Sequence, residues 1–107
     1  MSCIFCDIVA GSRPCKKVYE NEHVFAFHDI RPAAPVHILV VPKKHIATLF
    51  DATPEDLTAM GHLVLALPNL AKDLGLDAGF KTHINTGHGG GQEVFHVHFH
   101  LLGYPRR

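Results

Sequence analysis

Gln92-Glu93-Val94-Phe95-His96-Val97-His98-Phe99-His100-Leu101-Leu102 sets three histidines two residues apart, with apolar residues in the gaps. In an extended strand, residues two apart share a face and sit roughly 6.5–7 Å from each other. The spacing predicts a strand with His96, His98 and His100 in a row on one face and Val97, Phe99 and Leu101 on a core face. Imidazole changes its protonation near neutral pH and serves as nucleophile, proton carrier or metal ligand. The bland alternatives are a histidine-rich surface strand and a metal-storage tract. Apolar residues in the gaps favour a half-buried functional strand over both.

Gly87-His88-Gly89-Gly90-Gly91 lies directly before this strand and reads as a loop of the same site rather than a domain boundary. Further upstream, Phe80 to Asn85, Val36 to Val41, His23 to Asp29 and Lys17 to Glu20 read as strands. Pro42 ends the Val36 strand, and Pro32 and Pro35 mark a loop before it. Ile4 to Ala10 reads as a short helix stopped by Gly11 and Pro14. Thr53-Pro54-Glu55-Asp56 is a helix start, with Thr53 as cap and Pro54 in the first turn. Leu57, Met60, Val64, Leu67, Ala71 and Leu74 follow with helical spacing up to Gly75, and Pro68 should kink that helix or remove a backbone hydrogen bond. The expected architecture is α+β: about five strands in a mostly antiparallel sheet, one long helix and a short N-terminal helix.

The chain has 107 residues, enough for one domain spanning 1–107. Apolar residues make up 47% and charged residues 19%, an ordinary balance for a soluble globular protein. Formal net charge is zero with histidines neutral, which argues against bulk nucleic acid as a partner. The N-terminus lacks a basic segment leading into an apolar one, and the longest apolar runs are too short to span a bilayer. A cytoplasmic location with no membrane partner is the expectation by default, and three cysteines, an odd number, argue against a disulfide framework and fit a reducing compartment. Cys3-Ile4-Phe5-Cys6 is a C-x-x-C pair that could supply two thiolates to one metal or be two buried thiols.

His96-Val97-His98-Phe99-His100-Leu101-Leu102 resembles the signature of the histidine triad superfamily of nucleotide hydrolases and transferases. Phe27-His28-Asp29-Ile30, the run Pro35 to His45, Asn85 and Gly90-Gly91-Gln92 fall in that family's order and spacing, so the resemblance spans nearly the whole chain. Short length and the Gly-Gly-Gln-x-Val-x-His approach are similar to the Hint branch, purine nucleoside phosphoramidases that are typically homodimers. The resemblance implies a histidine-triad fold and a catalytic set of His37, His96, His98 and His100, with His98 as the nucleophile that forms a nucleotidyl adduct. His100 would contact a phosphate oxygen, and His37 would belong to the polar network that orients the site. Asp29 would hold the ribose hydroxyls, Asn85 would reach the ribose or phosphate, and Phe5, Ile8, Phe27 and Ile30 would form the slot for the base. For Phe5, Ile8 and Phe27, simple core packing is an equal reading.

Backbone amides around Gly91, Gln92 and Glu93 are candidate phosphate donors. Glu93 departs from members that carry serine there; its carboxylate would repel phosphate or favour a cationic amine leaving group. Some members bind structural zinc through a set matched here by Cys3, Cys6, His45 and His96. No organic cofactor is implied. The expected activity is cleavage of the P–N bond in purine nucleoside 5′-phosphoramidates. The alternatives are a dinucleoside polyphosphate hydrolase of the same superfamily and a non-catalytic nucleotide-binding or scaffold module.

Overall fold

The structure is a computed structural model and describes residues 3–105. It contains the short helix α1 (Ile4–Ala10), strands β1 (Lys17–Glu20), β2 (Val24–His28) and β3 (Val36–Pro42), the long helix α2 (Leu57–Asp73), and strands β4 (Lys81–His83) and β5 (Phe99–Gly103). The five strands form one sheet in the order β1-β2-β3-β5-β4, every neighbouring pair antiparallel. This is the α+β arrangement the sequence predicts.

Local chemistry explains the element boundaries. The backbone N–H of Cys6 reaches the Sγ of Cys3 at the start of α1, and Gly11 ends the helix in the left-handed region at φ 84°, open to glycine at no steric cost. Asn21 turns the chain from β1 into β2: its Oδ1 accepts the N–H groups of His23 and Val24, both at 2.8 Å. At the head of α2, Thr53 and Asp56 exchange capping hydrogen bonds around a 3-10 turn, Pro54–Asp56, that leads into the helix.

Paired residues of an antiparallel sheet share a face, so the register sorts side chains into two layers. Val24, Ala26, Ile38, Val40 and Leu101 face α2, where they pack against Leu63, Leu67, Leu70 and Ala71. Phe25, Phe27, Leu39 and Val41 face the other way and pack against Phe5 and Ile8 of α1. His37 and His100 belong to this second face, because His100 pairs with Leu39 and His37 with Leu102. The two-layer core therefore leaves one sheet face for α2 and the other for a short helix beside a row of imidazoles.

The strand expected to carry all three histidines starts at Phe99, so only His100 lies in the ladder. Val94 to Val97 bend instead: the N–H of His96 bonds to the Val94 carbonyl and the N–H of Val97 to the Ile46 carbonyl. The alternation survives this bend in part, since Leu101 still packs against α2 with Phe99 beside it. The buried stripe of α2 also differs from the expected one: Leu57 and Val64 are exposed, and Leu63, Ala66 and Leu70 are buried in their place, with Leu67 and Ala71 as expected. Pro68 does not interrupt the helix, which runs past it to Asp73.

Candidate active site and metal-ligand cluster

A cleft of about 270 Å³ opens on the α1 side of the sheet. Phe5, Ile8, Phe27 and Leu39 form its apolar wall, Asp29 and Ile30 one rim, and Asn85 with Gly91 to Val94 the other, while His98 and His100 face into it. Every residue expected from the sequence to touch a nucleotide lines this one cleft. Ile30 stands at the rim, 90% exposed, and Phe5, Ile8 and Phe27 serve core and wall at once. Ile4, Leu39 and Val94 also line it; the sequence reading missed them because nothing in their spacing sets them apart from ordinary core.

Each histidine has a tautomer imposed by its neighbours. A carbonyl oxygen only accepts, so the 2.7 Å contact of His98 Nδ1 with the His96 carbonyl puts the proton on Nδ1. The lone pair of His98 Nε2 is then free. Phe5 meets the His98 ring edge-on at 5.1 Å and 90°, which fixes the ring plane. Burial pulls the His98 pKa below its ordinary value, against smaller raising effects of the His96 carbonyl and Asp29. A neutral, held imidazole with one free nitrogen is the form a nucleophile needs.

A second chain of hydrogen bonds runs beside it. The N–H of Ala33 donates to His37 Nδ1 at 3.0 Å, so His37 carries its proton on Nε2. That Nε2–H lies 2.9 Å from His100 Nδ1 and 3.4 Å from Asp29 Oδ2. His100 accepts at Nδ1 and so presents an N–H at Nε2. Burial comes first among the causes that push the His100 pKa down to about 4, followed by the neighbouring His98, His83 and His37. Asp29 pulls the other way. His83 stacks on His100 with ring centroids 4.3 Å apart. Its role is invisible in sequence, since only the β4–β5 register pairs residue 83 with residue 100.

The glycine loop is tied mostly to itself. The N–H groups of Gly90, Gly91 and Gln92 bond to the carbonyls of Gly87 and His88. Buried Gln92 accepts from the Gly87 N–H and donates to the carbonyls of Ala47 and Val94, so its amide braces the loop. Asn85 donates to the Gly90 carbonyl at 2.8 Å. His88 packs on Phe95 rather than on the cleft.

His96 is fully buried and turns away from the cleft. Its Nε2–H donates to the Pro42 carbonyl at 2.8 Å, which leaves Nδ1 as a lone-pair donor. That nitrogen sits 3.2 Å from His45 Nδ1, 3.4 Å from Cys3 Sγ and 3.6 Å from Cys6 Sγ, and Cys6 Sγ is 3.3 Å from His45 Nδ1. Bond lengths to tetrahedral zinc imply donor separations of about 3.3 Å between two nitrogens and about 3.6 Å between sulfur and nitrogen. These four separations fit such a tetrahedron, and all four donor atoms lie within 4.8 Å of one another. Burial, then the hydrogen bond to Cys3 and the negative charges of Cys3 and Asp7, push the Cys6 thiol up to about 11. A cation at the centre would have to displace that proton, so its affinity would fall with pH.

The HIT-domain sequence profile matches residues 10–106. The chain belongs to the HIT-domain family. Protein HitA of Neisseria gonorrhoeae is 51% identical over 104 residues, covering 97% of each chain. The HIT family hydrolase from Legionella pneumophila Philadelphia 1 superposes with a TM-score of 0.93 at 42% identity, over 98% of this chain and 95% of that one. A zinc-bound histidine triad family protein from Mycobacterium smegmatis matches all of this chain and 76% of its own, with a TM-score of 0.82 and 40% identity.

Proposed function

We propose that this HIT protein hydrolyses the P–N bond of purine nucleoside 5′-phosphoramidates through a nucleotidyl-His98 intermediate. The observation that carries the reading is the free Nε2 of a neutral His98, in a cleft it shares with the Nε2–H of His100. In the first step the Nε2 lone pair bonds to phosphorus and the P–N bond breaks, with the amine leaving as it takes up a proton from solvent, which is returned when water is consumed in the second step. In the second, water attacks the same phosphorus, the P–Nε2 bond breaks, and the nucleoside monophosphate departs. His100 donates to a non-bridging oxygen and meets the charge that builds on the phosphoryl group. Asp29 accepts from the ribose hydroxyls, and the base lies between Ile30, Phe27, Phe5 and Ile8. Glu93 on the rim favours a leaving group that carries positive charge.

Cys3, Cys6, His45 and His96 would hold structural zinc as a closed four-ligand shell. The metal would supply a tie between α1 and the segment leading into β5, and the His96 carbonyl would keep His98 oriented. The family resemblance also supports a homodimer.

Release of AMP from adenosine 5′-phosphoramidate tests the central reading. We expect turnover in the wild type and a fall in kcat of at least about a thousandfold in His98→Ala, with AMP affinity within a few-fold. Turnover retained in the variant removes the covalent mechanism. Nucleotide binding without turnover in the wild type would instead favour a binding module.

A further inference from the structure

We propose that His83, on the edge strand β4, is a positioning residue that acts through His100 by holding the plane of that ring against the phosphate. The inference rests on the reading of His100 as the phosphate contact. Its geometry is specific. His83 pairs with His100 in the antiparallel β4–β5 ladder, so both side chains rise from the same sheet face. The two rings lie 4.3 Å apart and within 14° of parallel. Among the described residues, this is the only parallel stack of rings; the other close pairs are tilted or edge-on.

His100 therefore has an imidazole on three sides. His37 donates to its Nδ1, His98 stands 5.0 Å away at 60°, and His83 covers a flat face. The hydrogen bond from His37 fixes one atom of the ring and leaves it free to swing about that atom. A flat slab against the face removes that swing. It also keeps the Nε2–H aimed in one direction, which a donor to a developing charge requires before the reaction begins.

The stack also bears on protonation. A second proton on His100 would sit at Nδ1 and face the Nε2–H of His37, so the arrangement holds only while His100 is neutral. The groups facing His83 are Lys81 on its own strand, His100 and His98 from the β5 side, and His37 from β3. Burial first and Lys81 next hold the His83 pKa below its usual value, so near neutral pH this ring acts as an uncharged slab. Asp29 is the one neighbour that favours protonation of His100, and the imidazoles around it outweigh that pull.

The test compares wild type, His83→Ala and His83→Phe as metal-replete protein, by AMP release from adenosine 5′-phosphoramidate and by NMR titration of the His100 ring. In His83→Ala we expect kcat to fall about three- to tenfold with KM within about twofold, the size of a lost ring–ring contact. The His100 pKa should rise from about 4 toward 6.5 as its face opens to water. His83→Phe restores a flat ring without a titrating nitrogen and should recover kcat to within about twofold of wild type. An unchanged His100 titration in His83→Ala, or equal losses of kcat in the Ala and Phe variants, would overturn the proposal. If none of the proteins releases AMP, the phosphoramidase reading fails, and the titration alone decides the stack: an upward shift in His83→Ala upholds it, and an identical curve overturns it.

Discussion

His96 and His98 are two positions apart, yet their imidazoles are committed to different tasks because a carbonyl oxygen takes a different N–H from each ring. Pro42 takes the Nε2–H of His96 and leaves Nδ1 for the cysteines; His96 takes the Nδ1–H of His98 and leaves Nε2 for the cleft. One residue thus joins the metal-ligand cluster to the candidate nucleophile through its own backbone. Cys6→Ser separates these functions. Loss of one thiolate should lower bound zinc from about one per chain to well below half and drop the thermal midpoint by several degrees. Because Cys6 itself does not line the cleft, kcat of the protein that stays folded should change by less than about threefold. Metal analysis with thermal melting reads this, and unchanged zinc content would sink the ligand assignment. At this scale the spacing of the histidines was readable from local pattern alone, whereas His45 entered only through the family resemblance. His83 was not readable by either route, since its partner is seventeen residues away across a ladder whose register no local pattern sets.

Helix α2 shows where periodicity loses its hold. Leu63-Val64-Leu65-Ala66-Leu67 is apolar at five successive positions, so a stripe drawn through Val64 and one drawn through Leu63 fit the sequence about equally well. The sheet decides between them: Leu63, Leu67 and Leu70 turn to β2 and β3, and Leu57, Val64 and Leu65 are left outside. The existence of the helix and its capped start were legible; its rotation was not. Of the two effects expected of Pro68, the lost backbone hydrogen bond is the one that applies: the residue sits on the exposed side, where its ring clears the core and the helix runs on to Asp73. The Val64 carbonyl lacks the N–H that residue 68 would otherwise supply. Pro68→Ala restores that donor and a better helix former, offset in part by a looser unfolded chain. We expect a gain of about 1–2 kcal/mol in urea unfolding with an unchanged m-value. A loss of stability would mean that the helix has adapted its backbone to the proline.

Across the whole molecule, the strands and the antiparallel class followed from alternation and turn residues, but the strand order did not. β1, β2 and β3 are neighbours in sequence and in space, while β5 inserts between β3 and β4 and creates the site by bringing His100 beside His37. That insertion also leaves β4 as an edge of three exposed residues. An unpaired edge strand is a template for pairing, and proteins that persist as monomers protect such edges. Here the outer side of α2 carries Leu57, Val64 and Leu65, the first and last of them 76% and 68% exposed. An open edge together with an uncovered apolar helix face is what a two-fold partner would bury, since a symmetric contact uses the same patch on both copies. Sedimentation velocity at micromolar concentration should therefore give a species of twice the chain mass. Leu65→Glu should move it toward monomer, because a carboxylate buried against a second copy of the same face would be unpaired. A wild-type monomer at these concentrations would count against the homodimer. A dimer indifferent to Leu65→Glu would keep the pairing and place it away from this face of α2.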